Sequence, residues 1–209
     1  MRVTKFGHAA VRIEHDGQAL VIDPGIFTEQ EAVDGVGAVL VTHEHPDHFE
    51  VERLRRADAP VFAGSGVADA LREQAPDLAE RIQVVDEGDA FAAAGMRVTV
   101  HGHQHAQIHQ DIPRIVNTGF CVEDEVFHPG DSFTPPPRAM PLLLVPVNAP
   151  WMRLAEAVDF ARAWTSGTAL AIHDGLLNDN GHTVTDRVLG GLLEATEQRY
   201  RHLQAGSDV

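Results

Sequence analysis

The sequence predicts an α/β fold in which mixed β-sheets are covered by helices. Short apolar runs, such as residues 36–41, which are rich in β-branched residues, and residues 142–145, are typical of buried strands. Segments with apolar residues at helical spacing, such as residues 49–56, alternate with these runs. Strands that alternate with helices favour sheets with helices packed on their faces. Since 44% of the 209 residues are apolar, the chain can build a sizeable core, and we expect a single domain over residues 1–209.

Three short strands are predicted near the amino terminus, at residues 3–6, 10–14 and 19–22. The sequence His-Asp-Gly-Gln at residues 15–18 predicts a turn between the last two, so antiparallel pairing is expected there. The third strand is followed by Asp23, whose simplest interpretation, taken alone, is a turn-forming side chain before proline.

The middle of the chain alternates helices and strands. Apolar spacing predicts helices at residues 49–56 and 67–80, and Pro76 marks a break or a new start in the second. Strands are predicted at residues 61–63, 82–85 and 96–100. The sequence Asp-Glu-Gly-Asp at residues 86–89 predicts a turn before the last of them.

The C-terminal half continues the alternation. Strands are predicted at residues 115–122, 126–128, 142–145 and 167–172. A helix follows Trp151, and we expect Trp151 to pack in the core beside this helix rather than to contact a substrate. A closing helix is predicted from Thr183 or Thr185 to Tyr200, and residues 201–209 are expected to fray.

The charge balance disfavours nucleic acid as a partner. The chain has 16 basic and 31 acidic residues, a net charge of −15, and no basic run, so its surface repels phosphate backbones. The amino terminus lacks the apolar core of a signal peptide, and no run approaches the ~18 apolar residues of a membrane span. We expect a cytoplasmic protein with a small-molecule substrate and no membrane partner. The sequence predicts no oligomeric state.

The single cysteine limits the chemistry that sulfur can supply. Cys121 has no partner for an internal disulfide, and one thiolate cannot build a cysteine metal cage. Its place within an apolar run is typical of a buried core thiol.

The densest group of polar residues is Thr-His-Glu-His-Pro-Asp-His at residues 42–48, directly after a predicted strand. Buried imidazoles and carboxylates each need a partner, and a metal ion satisfies all of them together. In an extended chain His43 and His45 point the same way and can hold one ion. The turn that follows directs Asp47 and His48 toward a second position. The spacing therefore predicts a two-metal site on a strand-to-helix loop.

This loop resembles the H-x-H-x-D-H hallmark of the metallo-β-lactamase superfamily, which also follows a strand. Phe-Gly-His-Ala at residues 6–9 and Val-Ile-Asp-Pro-Gly at residues 21–25 are similar to the opening of its lactonase-like branch, typified by ascorbate-6-phosphate lactonase-like proteins. The resemblance implies an αβ/βα four-layer sandwich, with two mixed β-sheets covered by helices. It also implies that Asp23 lies behind the metal ligands, where its carboxylate can accept the second N–H of a ligating histidine.

A second histidine cluster, residues 101–109, follows the predicted strand 96–100. In the superfamily a histidine at such a position completes the first metal site, and His105, which a small residue follows, fits this pattern better than His103. Spacing alone does not separate the two, because residues two apart point the same way on an extended chain. His109 is interpreted either as a proton donor to the leaving group or as an ordinary surface histidine.

The remaining ligands implied by the resemblance are Asp131 and His173, each after a predicted strand. Asp131 belongs to a Gly-Asp pair that fits the superfamily's bridging carboxylate, which supplies an oxygen to each of two metals. His173 occupies the place of the last histidine, and Asp174 either holds its imidazole or makes the turn. We interpret His8 as an ordinary polar residue or part of the pocket mouth, and His128 as structural.

The resemblance implies a site in two halves with Asp131 between them. The expected ligands are His43, His45 and His105 for one metal, and Asp47, His48 and His173 for the other. Such a pair of ions binds a bridging hydroxide, which makes hydrolysis the expected reaction. The candidate catalytic residues are Asp47, which also orients the nucleophile, Asp131 and His109. The donor set suits two zinc ions, and manganese or iron fits the same ligands.

Two interpretations of function remain open. The lactonase-like resemblance implies a binuclear metal-dependent hydrolase that cleaves an ester, lactone or phosphodiester bond of a small metabolite. The alternative is a non-catalytic metal- or ligand-binding protein on the same fold. Turnover of generic esters or phosphodiesters separates the two.

Overall fold

The computed structural model describes residues 1–209 and contains fourteen β-strands and four α-helices. The strands are Arg2–Lys5 (β1), Val11–His15 (β2), Gln18–Ile22 (β3), Ala38–Val41 (β4), Val61–Ala63 (β5), Ile82–Val84 (β6), Ala90–Ala93 (β7), Met96–His101 (β8), Gly119–Val122 (β9), Val126–His128 (β10), Met140–Pro146 (β11), Thr165–Ile172 (β12), Arg199–Arg201 (β13) and Ser207–Asp208 (β14). The α-helices are Val51–Ala57 (α1), Ser65–Gln74 (α2), Leu154–Trp164 (α3) and Asp179–Glu194 (α4). None of them combines the length and the apolar composition needed to cross a membrane.

The first sheet has seven strands in the order β14-β1-β2-β3-β4-β5-β6. From β14 to β3 the neighbours pair antiparallel, and from β3 to β6 they pair parallel. Parallel neighbours need crossover connections, which α1 provides between β4 and β5 and α2 between β5 and β6. The carboxyl ends of β3 and β4 consequently lie side by side at one edge of the sheet.

The second sheet repeats this plan with seven strands in the order β13-β12-β11-β10-β9-β8-β7. Its first four strands along the chain pair antiparallel, and β10 to β13 pair parallel. Helices α3 and α4 are the crossovers on either side of β12. The C-terminal strand β14 then returns to the first sheet.

Successive residues of the strands face two different apolar clusters, which gives the molecule four layers. In β3, Leu20 and Ile22 face a cluster between the sheets, where Phe120 and Leu144 of the second sheet meet them. Val21 faces the opposite cluster, beneath α1 and α2. A third cluster fills the space between the second sheet and helices α3 and α4. The αβ/βα sandwich predicted from the sequence is therefore confirmed; the single-domain organisation stays a prediction.

Most predicted elements are present, with two local differences. The predicted strand 115–122 is regular only from Gly119, because Asn117 and Thr118 bond to other loops: Asn117 Nδ2 donates to the Pro129 carbonyl and Thr118 N to the Thr42 carbonyl. The break predicted at Pro76 is confirmed, because α2 ends at Gln74 and a 3-10 helix begins at Pro76. Strand β7, with the sequence Ala-Phe-Ala-Ala, was not predicted, because it contains no β-branched residue.

The prediction for the C-terminal segment is wrong. Helix α4 begins at Asp179, because the Asn178 side chain caps it by accepting a backbone N–H of the first turn, and it ends at Glu194. Tyr200 lies in β13, which pairs with β12. Residues 201–209 do not fray, because β14 pairs with β1 at the edge of the first sheet. Both strands are too short for their pairing to be read from local sequence.

Candidate metal centre

The seven candidate ligands lie on loops at the carboxyl ends of four strands. They are His43, His45, Asp47 and His48 after β4, His105 after β8, Asp131 after β10 and His173 after β12. Their donor atoms form overlapping groups in which every atom lies within 4.8 Å of the others. The structure thus brings together all seven residues that the sequence selects.

One group consists of His43, His45 and His105. Nε2 of His43 lies 3.1 Å from Nδ1 of His45. The His105 ring centroid is 4.9 Å from the ring centroids of both. His105 is buried, whereas His103 is exposed and its ring lies outside this group. The geometry therefore selects His105 from the two histidines that spacing could not separate.

The second group contains Asp47, His48 and His173, and Asp131 reaches both groups. Asp131 Oδ1 is 3.1 Å from Nε2 of His48, and Oδ2 is 3.2 Å from Nε2 of His173. The same Oδ2 is 3.5 Å from Nε2 of His105 in the first group. A carboxylate placed in this way can serve two ions at once.

Hydrogen bonds behind the histidines fix which ring nitrogen carries the proton. The Nδ1–H acceptors are the Asp23 carboxylate for His48 (2.7 Å), the Ala106 carbonyl for His105 (2.6 Å) and the Asn148 carbonyl for His173 (2.5 Å). Thr42 Oγ1 donates to Asp23, so it accepts from Nδ1 of His43. In each ring this leaves Nε2 facing the centre, where its lone pair can bind a metal ion once the ring is neutral.

Four inward atoms are buried without a hydrogen-bond partner, and all four belong to candidate ligands. They are Nε2 of His48, His105 and His173 and Oδ1 of Asp131. Leaving buried polar atoms unsatisfied costs about 1–3 kcal/mol each. Divalent metal ions would satisfy these donors together, so the residues fit the cofactor that the sequence resemblance implies.

The protonation equilibria of the cluster favour the ligand forms of two residues. Burial lowers the pKa of His43 well below its ordinary value, and the neighbouring His48 lowers it further. Burial alone would raise the pKa of Asp131, but the surrounding histidines lower it well below its ordinary value. Burial alone would lower the pKa of His173, but the nearby carboxylates of Asp131 and Asp47, 3.2 and 3.5 Å from its Nε2, raise it to about 9. A metal ion therefore competes with a proton at His173.

His8 lies beside the second group, and its role was missed by the sequence analysis. Its Nδ1 accepts the backbone N–H of Gly175 over 3.1 Å, so the proton is on Nε2. That nitrogen lies 3.1 Å from Oδ2 of Asp47 and donates to it. His8 is fully buried and holds the Asp47 carboxylate in place. Its segment, Gly-His after a strand, was the only local signal.

The backbone around the cluster is strained at three functional positions. His8, Asp23 and His173 have φ angles of 60°, 53° and 58°, in the left-handed region that non-glycine residues rarely adopt. Gly25 allows a close approach nearby, since a Cβ there would lie 2.0 Å from the Asp47 carbonyl oxygen. Such conformations persist where the surrounding structure specifies them, as the hydrogen bonds behind the histidines do here.

Trp151 contacts the cluster, so the expectation that it packs only in the core is wrong. Its Nε1 donates to Oδ2 of Asp131 over 2.8 Å. The ring is half-buried and packs edge-on against Phe133, with centroids 5.0 Å apart. A partly buried indole N–H needs a hydrogen-bond acceptor, and the Asp131 carboxylate on the neighbouring loop is that acceptor.

The structure also shows the surroundings of His109, His128 and Asp174, the other residues near the site that the sequence singled out. His109 is exposed and bonds within its own loop, where Nδ1 accepts the N–H of Asp111, so its catalytic role stays a prediction without a contact to support it. His128 bonds only to backbone groups, which is consistent with a structural role. Asp174 does not hold the His173 ring; it pairs with Lys5 instead.

A largely buried cluster of five histidines and two aspartates at the strand ends of an αβ/βα sandwich defines a metal-dependent hydrolase of the metallo-β-lactamase fold. The family model described as beta-lactamase superfamily domain matches residues 2–173, and the chain belongs to this superfamily.

Relatives and solved structures agree with this assignment. Protein Rv0786c of Mycobacterium tuberculosis is 34% identical over 215 residues, which cover 100% of this chain and 99% of that protein. A UPF0173 metal-dependent hydrolase of Bacillus cytotoxicus is 30% identical over 146 residues, 63% of each chain. Igni18, a metallo hydrolase of Ignicoccus hospitalis, has a TM-score of 0.73 and 20% identity over 100% of this chain and 97% of that one. The last likeness is one of fold.

Proposed function

We propose that the chain is a binuclear metal-dependent hydrolase that cleaves an ester, lactone or phosphodiester bond of a small metabolite. The observation that carries this proposal is the convergence of four buried, unpartnered donor atoms on one centre. The proposed ligands are His43, His45 and His105 for one ion, Asp47, His48 and His173 for the other, and Asp131 for both. This histidine-rich set suits zinc, and manganese or iron fits the same donors.

We assign different side chains of the site to holding the metal ligands in place and to orienting the attacking water. When bound, two divalent ions supply an activated water nucleophile and the Lewis acidity that stabilises negative charge in the transition state. Asp131 is held by the Trp151 indole, and Asp47 by His8. The Asp47 side chain is 22% exposed against 5% for Asp131, so Asp47 is the carboxylate that a substrate and its attacking water meet first. We assign it the orientation of that water.

The surroundings of the centre support a small substrate that carries a negative charge. A cavity of about 360 Å³ lies beside the Asp131 loop, and its lining includes Phe133, Trp151, Arg114 and, as its one acidic residue, Glu156. This volume suits a metabolite rather than a polymer. Nε of Arg114 donates to the His105 carbonyl over 3.0 Å, which places an exposed guanidinium next to a proposed ligand. A phosphate or carboxylate group could pair with it.

The test combines metal content and turnover in one sample. The protein is purified without chelator, its metal is counted by mass spectrometry, and hydrolysis of a bis(nitrophenyl) phosphate and a lactone panel is assayed. We expect Asp131→Ala to lose metal and to lower turnover at least about 100-fold. Asp159→Ala is the matched control, since Asp159 is exposed on α3 and outside the site.

Two results would contradict the proposal. Equal metal content and turnover in Asp131→Ala and the unmodified protein would contradict a binuclear centre held by Asp131. Metal at the centre without turnover of any substrate would favour the non-catalytic binding protein.

A further inference from the structure

A second cluster of metal-type donors lies outside the proposed catalytic centre. Asp174, His182 and His202 each offer one donor atom, and these three atoms lie within 4.8 Å of one another. They come from three separate parts of the chain: the loop after β12, the first turns of α4 and the segment after β13. All three line a cavity of about 150 Å³, together with Lys5 and Leu177.

The hydrogen bonds of His202 leave its Nε2 facing a carboxylate oxygen. Nδ1 of His202 donates to Oδ2 of Asp186 over 2.9 Å, and the other oxygen of Asp186 accepts the Tyr200 hydroxyl. Nε2 of His202 then faces Oδ2 of Asp174 at 3.4 Å. A neutral imidazole nitrogen and a carboxylate oxygen are both acceptors, so a cation between them, either a second proton on His202 or a metal ion, would stabilise this contact.

The position of His182 favours the metal. Its ring is parallel to that of His202, with centroids 4.4 Å apart and an interplanar angle of 10°, and it forms no side-chain hydrogen bond. A proton shared by His202 and Asp174 would leave the ring nitrogens of His182 without a partner, whereas a metal ion could bind donor atoms of all three residues. The Asp186 carboxylate behind His202 repeats the arrangement of Asp23 behind His48 in the catalytic centre.

The cluster carries suitable charge and is separate from the catalytic ligands. Asp174 and Asp186 contribute two negative charges, and buried Lys5, whose Nζ is 3.2 Å from Asp174 Oδ1, contributes one positive charge. Asp174 follows His173 in sequence, but its side chain points to Lys5 and His202 and takes part in none of the catalytic groups.

We propose that Asp174, His182 and His202 bind a third divalent transition-metal ion, of the zinc type, that fastens the C-terminal segment to α4 and to the loop after β12. Two imidazoles and a carboxylate form a donor set typical of zinc. Tetrahedral zinc needs donors about 3.4 Å apart, the distance already found between His202 Nε2 and Asp174 Oδ2, and the half-buried His182 can adjust its ring by rotation. Three protein ligands leave at least one coordination position for water, and the ion would link the three segments of the chain that carry them.

The experiment counts metal ions in variants of the full chain. Protein stripped with chelator is titrated with Zn²⁺ by calorimetry, and bound metal is measured after dialysis. We expect His182→Ala to bind one equivalent fewer than the unmodified protein and to lose part of the zinc-dependent rise in melting temperature. His15→Ala is the control, because His15 is a partly exposed histidine at the end of β2, outside this cluster. His182 forms no side-chain hydrogen bond, so its loss leaves folding intact.

A second variant separates this site from the catalytic centre. Asp131→Ala should lose catalytic metal but keep the equivalent that depends on His182. An equal metal count in His182→Ala and the unmodified protein would overturn the third site and identify the cluster as an ion-pair network around a protonated His202. That result would leave the proposed hydrolase untouched, and a failure of turnover would leave the third site untouched.

Discussion

The carboxylate of Asp23 accepts a hydrogen bond of 2.7 Å from Nδ1 of His48, in a fully buried position behind the metal centre. The same carboxylate accepts the backbone N–H and the hydroxyl of Thr42, each over 2.7 Å. One side chain therefore fixes the ring of a proposed ligand and the start of the loop that carries three others. The strained φ of 53° at Asp23 is retained for this contact.

Replacing Asp23 should weaken metal binding without removing a ligand. We expect Asp23→Asn to lower zinc affinity by about 10–100-fold. The amide has one oxygen and no charge, so it cannot accept all the hydrogen bonds that the carboxylate accepts from His48 and Thr42. Competition with a chromogenic chelator measures the effect. Asp16→Asn is the control, since Asp16 also has a positive φ, 48°, but is 89% exposed on its side chain. Equal affinities of the two variants would contradict the role assigned to Asp23.

His8 should act as a positioning residue for Asp47. We expect His8→Ala to lower kcat by about 10–100-fold with little change in KM, since the Asp47 carboxylate loses the N–H that holds it. His8→Gln, whose amide can donate from a similar position, should restore part of the loss. Steady-state kinetics on the best substrate of the panel distinguishes this from a purely structural role, in which Gln and Ala would behave alike.

Gly130 should tolerate no side chain, because it lets the Asp131 loop approach the His43 loop. A Cβ at Gly130 would lie 2.2 Å from Asn117 Oδ1 and 2.7 Å from Thr42 Cβ, whereas one at Gly17 would meet nothing within 4 Å. Both have positive φ, 64° and 76°. We expect Gly130→Ala to destabilise the protein by about 1–3 kcal/mol more than Gly17→Ala. Urea unfolding measures the difference, and equal losses would contradict the packing.

Cys121 should be nearly inert in the folded protein. Burial raises the pKa of its thiol to about 11 from an ordinary value of 9.0, so the thiolate fraction at pH 8 falls about 100-fold. We expect alkylation by iodoacetamide to be at least that much slower in the native protein than in urea. Rates that rise tenfold per pH unit between 8 and 10 would agree with the raised pKa; a plateau near pH 9 would contradict it.

The spacing of residues along the chain was enough to predict the four candidate ligands that lie together on the loop after β4. His43, His45, Asp47 and His48 lie within six positions on one loop, and the strand before them could be identified by composition. His105 was favoured over His103 by resemblance alone, since both follow the same strand.

The residues that support the site depend on contacts between distant segments, which spacing cannot reveal. His8 is oriented by Gly175, 167 positions away, and the Thr4 side chain bonds to Asp208, 204 positions away, where β14 joins β1. Trp151 resembles a core residue in sequence, because its contact with Asp131 exists only when β10 and β11 are parallel neighbours. The C-terminal pairings were missed for the same reason.

The most direct test of the central claim is anomalous diffraction from crystals of the zinc-reconstituted protein. We expect two zinc peaks at the strand ends, one beside His43, His45 and His105 and one beside Asp47, His48 and His173, with Asp131 within about 2.0–2.2 Å of both. A single peak there, or two peaks of which only one contacts Asp131, would contradict the binuclear centre.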